Sequence, residues 1–313
     1  MSGFLASLPG ACAQGIIWGI MAVGVYLTFK VLDLADLTVD GSFGTGGAVL
    51  VVCTIAGMNI WLAMLLAFLA GCIAGLVTGI LHTKFGIPAI LAGILTQLAL
   101  YSVNLRIMGF GTGGGKANLP ISVDKYSLLV SARYVRNVAL NNPILILVIF
   151  CAVLIAVLYW FFGTELGCSL RATGANQNMA RAQGINTNVA KVLGLMISNG
   201  LVALAGGLLA QYQGFSDINM GRGAIVIGLA AVIIGEVLCD AFFRKGCNFS
   251  VRLSFVILGG IVYYLVMVLI LWLKLDPNDL KLFTAVIVAA FLAVPYLKGQ
   301  AKSSFHRLKK GDK

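Results

Sequence analysis

The chain has 313 residues, of which 60% are apolar and only 11% charged, and its formal net charge is +11. That composition excludes a soluble globular domain. The charge does not mark a nucleic-acid surface either, because six of the 22 Lys and Arg residues fall in the last sixteen positions, 298–313. A basic tail of this kind reads as a cytoplasmic end lying beside anionic lipid. The seven cysteines contain no Cys-x-x-Cys pair and the only histidines are His82 and His306, so neither a disulfide framework nor a metal centre is indicated.

Apolar runs of membrane length recur along the chain: Leu8–Phe29, Gly41–Met58, Ile60–Leu81, Ile87–Met108, Pro143–Phe162, Val189–Tyr212, Gly223–Val237, Leu253–Leu273 and Leu282–Leu297. No basic stretch precedes the first run, which is therefore expected to be a retained helix. The expected fold is all-α and polytopic, with about nine transmembrane helices. A count of eight to ten is allowed, because Gly41–Met58 and Gly223–Val237 are short and bordered by glycine. One transmembrane domain spans 1–297, and 298–313 forms the tail. Gly15 and Gly19 in the first run, and Gly71, Gly75 and Gly79 in the third, form small-residue stripes that let helices approach closely in lipid.

Basic residues set the orientation. With 163–191 and the C-terminal tail inside, the inner segments hold 14 of the 22 Lys and Arg residues. Five of the other eight lie in the long outer stretch 106–142, and nine helices then put the N-terminus outside.

The longest polar interruption, 163–191, lies inside by this count. Within it Ala175–Gln183 is expected to form about two turns of helix. Thr173 is the expected N-cap and Gly184 the left-handed C-terminal residue. Asn186-Thr187-Asn188 should cap the next run, and Met179, Ala182 and Ile185 sit close to one face. Such a segment is either a docking element for a soluble partner or an ordinary solvated loop.

Two stretches resemble each other. Asp36-Leu-Thr-Val-Asp-Gly41 and Asp217-Ile-Asn-Met-Gly-Arg-Gly223 each follow an apolar run, open with an acid and enter a short glycine-rich helix. Their acids are 181 residues apart, an odd number of helices, so the second copy would be inverted, with repeat halves of about 8–109 and 189–297. Paired interruptions of this kind point to a solute path between them. Polar residues placed in or beside the runs are the candidates for lining it: Asp36, Thr38, Asp40, Ser42, Thr45, Gln97, Asn199 and Glu236, with Asn104 and Ser198 as further polar positions. Interhelical hydrogen bonding is the other use for each of them, and Glu236 could pair with Arg244 or Lys245.

Gly109-Phe-Gly-Thr-Gly-Gly114 matches a dinucleotide fingerprint in letters, but it follows a membrane helix and not a strand. Gly115-Lys116 lacks the remaining residues of a phosphate-binding loop, and no other such loop occurs. If ATP drives this chain, another chain must hydrolyse it.

The passage from Gly167 through Arg171, Ala180, Arg181 and Gly184 to Asn186, with Gly200-Leu-Val-Ala-Leu-Ala-Gly-Gly-Leu-Leu-Ala-Gln211, resembles the permease subunits of binding-protein-dependent ABC importers. Within them it is similar to the branch serving branched-chain amino acids and ribose-type sugars, as are Asp36-Leu-Thr-Val-Asp-Gly-Ser42 and Lys84-Phe-Gly-Ile-Pro-Ala-Ile90. The resemblance covers nearly the whole chain. It implies that Ala175–Ile185 is a cytoplasmic coupling helix seated on the ATPase, with Ala175, Met179, Ala180, Arg181, Ala182, Gly184 and Ile185 at the contact.

It further implies a dimer of permeases (a homodimer is expected), two ATPase subunits that carry ATP and Mg, and an extracytoplasmic solute-binding protein. No cofactor is implied on this chain. The setting would be a bacterial inner membrane, the activity transport and not catalysis, and the solute a small polar molecule such as an amino acid. The Asp36–Ser42 wording is similar to a branch linked to aromatic amino acids. Where the family often has Gly-Gly this chain has Gly235-Glu236. The rival readings are a sugar-importing permease, an ion-coupled secondary transporter in which Glu236, Asp40 or Asp36 carries the ion, a channel, and, least supported, a membrane enzyme.

Overall fold

The computed structural model describes residues 2–110, 114–123, 125–126, 128–135, 142–243 and 247–272, with four isolated positions beyond (282, 285, 286 and 289). The run expected at Leu282–Leu297 lies almost wholly outside the described residues, as do the basic tail and the Arg244 and Lys245 proposed to pair with Glu236. Among the described residues the helices are α1 (Ser2–Tyr26), α2 (Val39–Ile55), α3 (Ile60–Thr83), α4 (Ala89–Met108), α5 (Pro143–Gly163), α6 (Glu165–Ala175), α7 (Gln177–Ala182), α8 (Thr187–Gln213), α9 (Ala224–Phe242) and α10 (Phe249–Trp272). Seven of them are long and apolar enough to cross a membrane, and α2 is a shorter apolar helix.

Among the described residues the helices are joined by one β-ribbon that the sequence did not suggest. Strand β1 (Asn118–Pro120) pairs antiparallel with β2 (Phe215–Asp217), which follows α8 directly. Three residues per strand carry too little periodicity to be read.

Helix α8 is the central post. Together with α1 it is the most enclosed span, 72% and 83% of their most apolar windows being buried. Glycine makes that enclosure possible. A Cβ at Gly71 or Gly75 of α3 would collide with the carbonyl oxygens of Asn199 or Leu195 on α8, and Gly79 lies against Val192. The α3 stripe therefore faces α8, and the shorter α1 stripe, Gly15 and Gly19, faces Ile261 and Ile257 of α10. Gly46 of α2 and Gly206 of α8 make the same reciprocal approach, to Ala203 and Phe43. Such backbone contact substitutes for the hydrophobic drive that lipid removes.

The connections gather at two opposite ends. At one end Gly174 of α6 lies against the Val31 carbonyl, Gly79 against Val192, and Lys30 against Glu236. At the other are the β1–β2 ribbon, Tyr126 donating to the Ile55 carbonyl (3.3 Å), and Leu129 N–H donating to Gln211 (3.2 Å). The first end collects segments assigned inside by charge and the second those assigned outside. At the first end α1 loosens into a π-helical turn, Leu27–Val31, closed by Asp33 at a φ of 53°. A short acidic side chain tolerates that left-handed backbone. The chain then crosses to α2 without helical structure.

Candidate functional site

The polar loop 163–191 folds into two helices, α6 and α7, where the sequence suggested one. Thr164 caps α6 by accepting from Gly167 N–H (3.4 Å), and Gly167, Leu170 and Thr173 turn inward at helical spacing. Thr173 is therefore not the cap of the second helix. It lies inside α6, and its hydroxyl donates to the Ser169 carbonyl (2.8 Å). The cap of α7 is Asn176, whose Oδ1 accepts from Met179 N–H at 3.0 Å. Asn outranks Thr at that position.

Gly184 has the expected left-handed backbone, with a φ of 81°. Asn186 caps α8 by accepting from Val189 N–H (3.3 Å), as the polar cluster there suggested. Inside the loop, Ala180 is buried and Arg181 Nε donates to Thr187 (2.8 Å), which ties α7 to the start of α8. Met179 is 63% exposed, Ala175 and Ala182 are exposed, and Ile185 is half-buried. The result is a short helix tied to α8 at one end of the bundle, with Met179 and Ala182 on its exposed surface.

The residues expected to line a path fall into three groups. Asp36, Thr38, Ser42, Thr45 and Asn199 are all buried, and all but Thr45 are hydrogen-bonded between segments. Asp36 accepts from Thr38 N–H (2.9 Å) and from Asn199 Nδ2 (2.7 Å), while Ser42 donates to Asn199 Oδ1 (2.6 Å). Thr38 meets Thr78 at 2.7 Å, and Thr78 donates to Thr96 at 2.9 Å, linking α3 and α4 to the segment before α2. Thr45 donates to the Gly41 carbonyl (3.0 Å), and Ser198 donates to the Gly24 carbonyl (2.7 Å). Within a single chain these groups satisfy one another, as buried polar groups must.

Asp40 and Gln97 behave differently. Asp40 stands in the first turn of α2, yet its carboxylate accepts from Gly223 N–H (3.0 Å) and Ile225 N–H (2.9 Å), capping α9 from 183 residues away. The positive end of the α9 dipole favours the acid there. The two resembling stretches thus touch, and they share a local geometry. Asp217 accepts from Asn219 N–H (2.7 Å) just as Asp36 accepts from Thr38 N–H.

Beside this junction opens a cleft of about 290 Å³ lined by Asp40, Gly41, Gln97, Leu98, Tyr101, Asn104, Ile218 and Arg222. Tyr101 and Arg222 were not singled out from sequence; a tyrosine within an apolar run and an arginine bordering one were the available signals. Glu236 lies far from this cleft in the fold, paired with Lys30 at 3.0 Å and sharing a small hollow with Asp240 and Arg252.

The outward faces separate lipid from a polar surface. Helices α4 and α5 are equally uncovered, each with 22% of its most apolar window buried. Their mean hydropathy differs, however, 1.4 for α4 against 3.1 for α5. The uncovered face of α5 carries Val148, Ile149, Val153 and Val157, a surface suited to lipid. That of α4 carries Tyr101, Ser102 and Arg106 among its apolar residues. Polar side chains are costly in hydrocarbon, so α4 needs protein or water against it.

The family described as the permease component of branched-chain amino acid transport systems matches residues 8–295. A tyrosine transport system permease protein of Clostridioides difficile is 40% identical over 308 residues, 98% of this chain and 96% of that protein. The autoinducer 2 import system permease protein LsrC of Salmonella typhimurium is 29% identical over 70% of this chain and 59% of its own length. Among solved structures, PsaBC from Streptococcus pneumoniae in complex with Fab shares the fold, with a TM-score of 0.54, 14% identity and 94% of each chain covered.

Proposed function

The chain belongs to the family of branched-chain amino acid transport permeases and is the multi-pass membrane permease component of an ABC importer; from that premise we propose that it carries an aromatic amino acid, tyrosine or a close analogue. The 40% identity to a tyrosine transport permease over 98% of the chain carries this choice of solute. The similarity to an autoinducer 2 import permease is weaker and covers less of both chains, so import of an autoinducer-type solute ranks below it.

The family implies ATPase and solute-binding partners. On our reading two ATPases bind the end of the bundle that carries α7, and ATP and Mg are held there. Ala175, Met179, Ala180, Arg181, Ala182, Gly184 and Ile185 are the coupling element. The exposed Met179 face supports this, because a monomer gains nothing by holding it in water. A second copy of the chain faces the polar side of α4, and the solute passes along that side near Asp40 and Gln97. The two acid-led stretches before α2 and α9 are inverted copies, and the transmembrane unit spans 1–297. Closure of the ATPases would move α7, and with it α8 and the helices it supports.

The Lys30–Glu236 pair argues against an ion-coupled transporter. Glu236 has a cation beside it, and both side chains are partly exposed, 46% and 25%. Such a pair contributes at most about 1 kcal/mol. Reconstitution of this chain with its ATPase and binding protein in liposomes is the test. ATP-dependent uptake of tyrosine is expected to persist when ion gradients are collapsed, and Glu236→Gln should keep uptake within about twofold. Uptake that needs a proton or sodium gradient, or is lost in Glu236→Gln, would overturn the reading.

A further inference from the structure

We propose that the cleft between the starts of α2 and α9 and the middle of α4 is a binding subsite for the zwitterionic head of a free amino acid, with Asp40 and Asn104 taking the ammonium group and Arg222 the carboxylate. The inference rests on the amino-acid reading above and adds the residues that would recognise the solute.

The groups come from three parts of the chain. Asp40 stands in the first turn of α2, and each of its oxygens accepts one backbone N–H from the start of α9. A carboxylate oxygen has a second lone-pair direction, so the group is held in place without being used up. Arg222, the residue just before the capped turn, is exposed and lines the same cleft. A carboxylate and a guanidinium thereby line the same cleft, and a ligand carrying both charges would match them with charge-assisted hydrogen bonds.

An independent observation comes from Asn104. It is 2% exposed and lines this cleft, and its Nδ2 reaches the Gly41 carbonyl only at 3.5 Å. Its Oδ1 has no partner. A buried acceptor left unsatisfied costs about 1–3 kcal/mol, and a donor-rich ammonium group would remove that cost. A neutral sugar could satisfy Asn104, but it would leave Asp40 and Arg222 without their complementary charges.

The remaining lining suits a side chain. Leu98 and Ile218 are apolar, Gln97 is amphipathic, and Tyr101 presents a ring that is 45% exposed. The volume of about 290 Å³ corresponds to about ten water molecules, on the order of one free amino acid with a large side chain.

The test uses the purified permease–ATPase complex in detergent, without its binding protein. Phenylalanine, phenethylamine (no carboxylate), 3-phenylpropionate (no ammonium) and ribose are titrated separately while thermal aggregation is followed. Phenylalanine should stabilise the wild-type complex and the two single-charge analogues should do so only weakly. Arg222→Gln should raise the apparent dissociation constant for phenylalanine by about 10-fold or more, and Arg222→Lys should restore part of it.

Equal responses of wild type and Arg222→Gln to phenylalanine, or stabilisation by phenethylamine as strong as by phenylalanine, would overturn the subsite while leaving the amino-acid reading intact. Stabilisation of the wild type by ribose and not by phenylalanine would overturn both.

Discussion

A chain carrying Met179→Glu and Ala182→Glu is expected to insert and fold normally, yet to lose its ATPase subunit on affinity purification by on the order of 100-fold. The two effects separate because of where the side chains lie. Met179 is 63% exposed and Ala182 is exposed, so neither contributes to the core of this chain. Exposed substitutions of that kind change stability by about 0.5 kcal/mol or less. In an apolar seat on a partner the same two carboxylates would be buried without counter-ions, at a cost of several kcal/mol.

The neighbouring Ala180 provides the contrast, since it is buried against this chain and enlarging it would damage the loop itself. Co-purification of the ATPase, with monodisperse elution of the permease as the folding control, reads out the result. Recovery of the ATPase at the wild-type level would remove α7 from the interface.

The second large effect is structural. Asn199 holds α8, α2 and the segment before α2 together by donating to Asp36 and to the Leu195 carbonyl and by accepting from Ser42. Asn199→Leu keeps the approximate volume but leaves the Asp36 carboxyl, 3% exposed, with Thr38 alone as its partner. Interhelical hydrogen bonds in membranes average well under 1 kcal/mol, because the separated groups find other partners. Asp36 is enclosed in the fold, so the upper part of the range for a buried polar group that loses its partner applies, about 2–3 kcal/mol. The thermal midpoint in detergent should fall by about 5–10 °C. A fall of less than about 1 °C would mean that the network is not holding these segments.

How much of this was legible in the sequence differs by element. Long apolar runs give their helices away, and eight of the nine expected runs fall on described helices, because lipid imposes a length and a composition that few other contexts share. The α3 stripe at Gly71, Gly75 and Gly79 was readable for a related reason: close packing needs the same spacing in every helix. Caps were less readable. Thr173 and Asn176 both suit an N-cap, and the choice was made by Leu170, Thr173 and Gly174 packing inward and so prolonging α6.

The polar residues were the hardest. Asp36 and Asp40 are four residues apart and look alike on paper, yet one is enclosed by Asn199 and Thr38 while the other caps a helix 183 residues away. Neither partner can be inferred from local pattern. The same holds for Glu236, whose observed partner, Lys30, comes from the far end of α1. Arg222 escaped attention because an arginine beside a glycine at a membrane border is ordinary; only its place in the cleft with Asp40 and Asn104 distinguishes it.

On our reading the α7 end of the bundle meets the ATPase and the β1–β2 end does not. Helix α8 separates them, and its 27 residues span about 40 Å. A photo-crosslinking residue placed at Met179 or Ala182, and in separate chains at the exposed Phe110 or Asn219 of the opposite end, tests this directly in the assembled complex. An ATPase adduct is expected from positions 179 and 182 and none from 110 and 219. An ATPase adduct from 110 or 219, with none from 179 or 182, would contradict that reading.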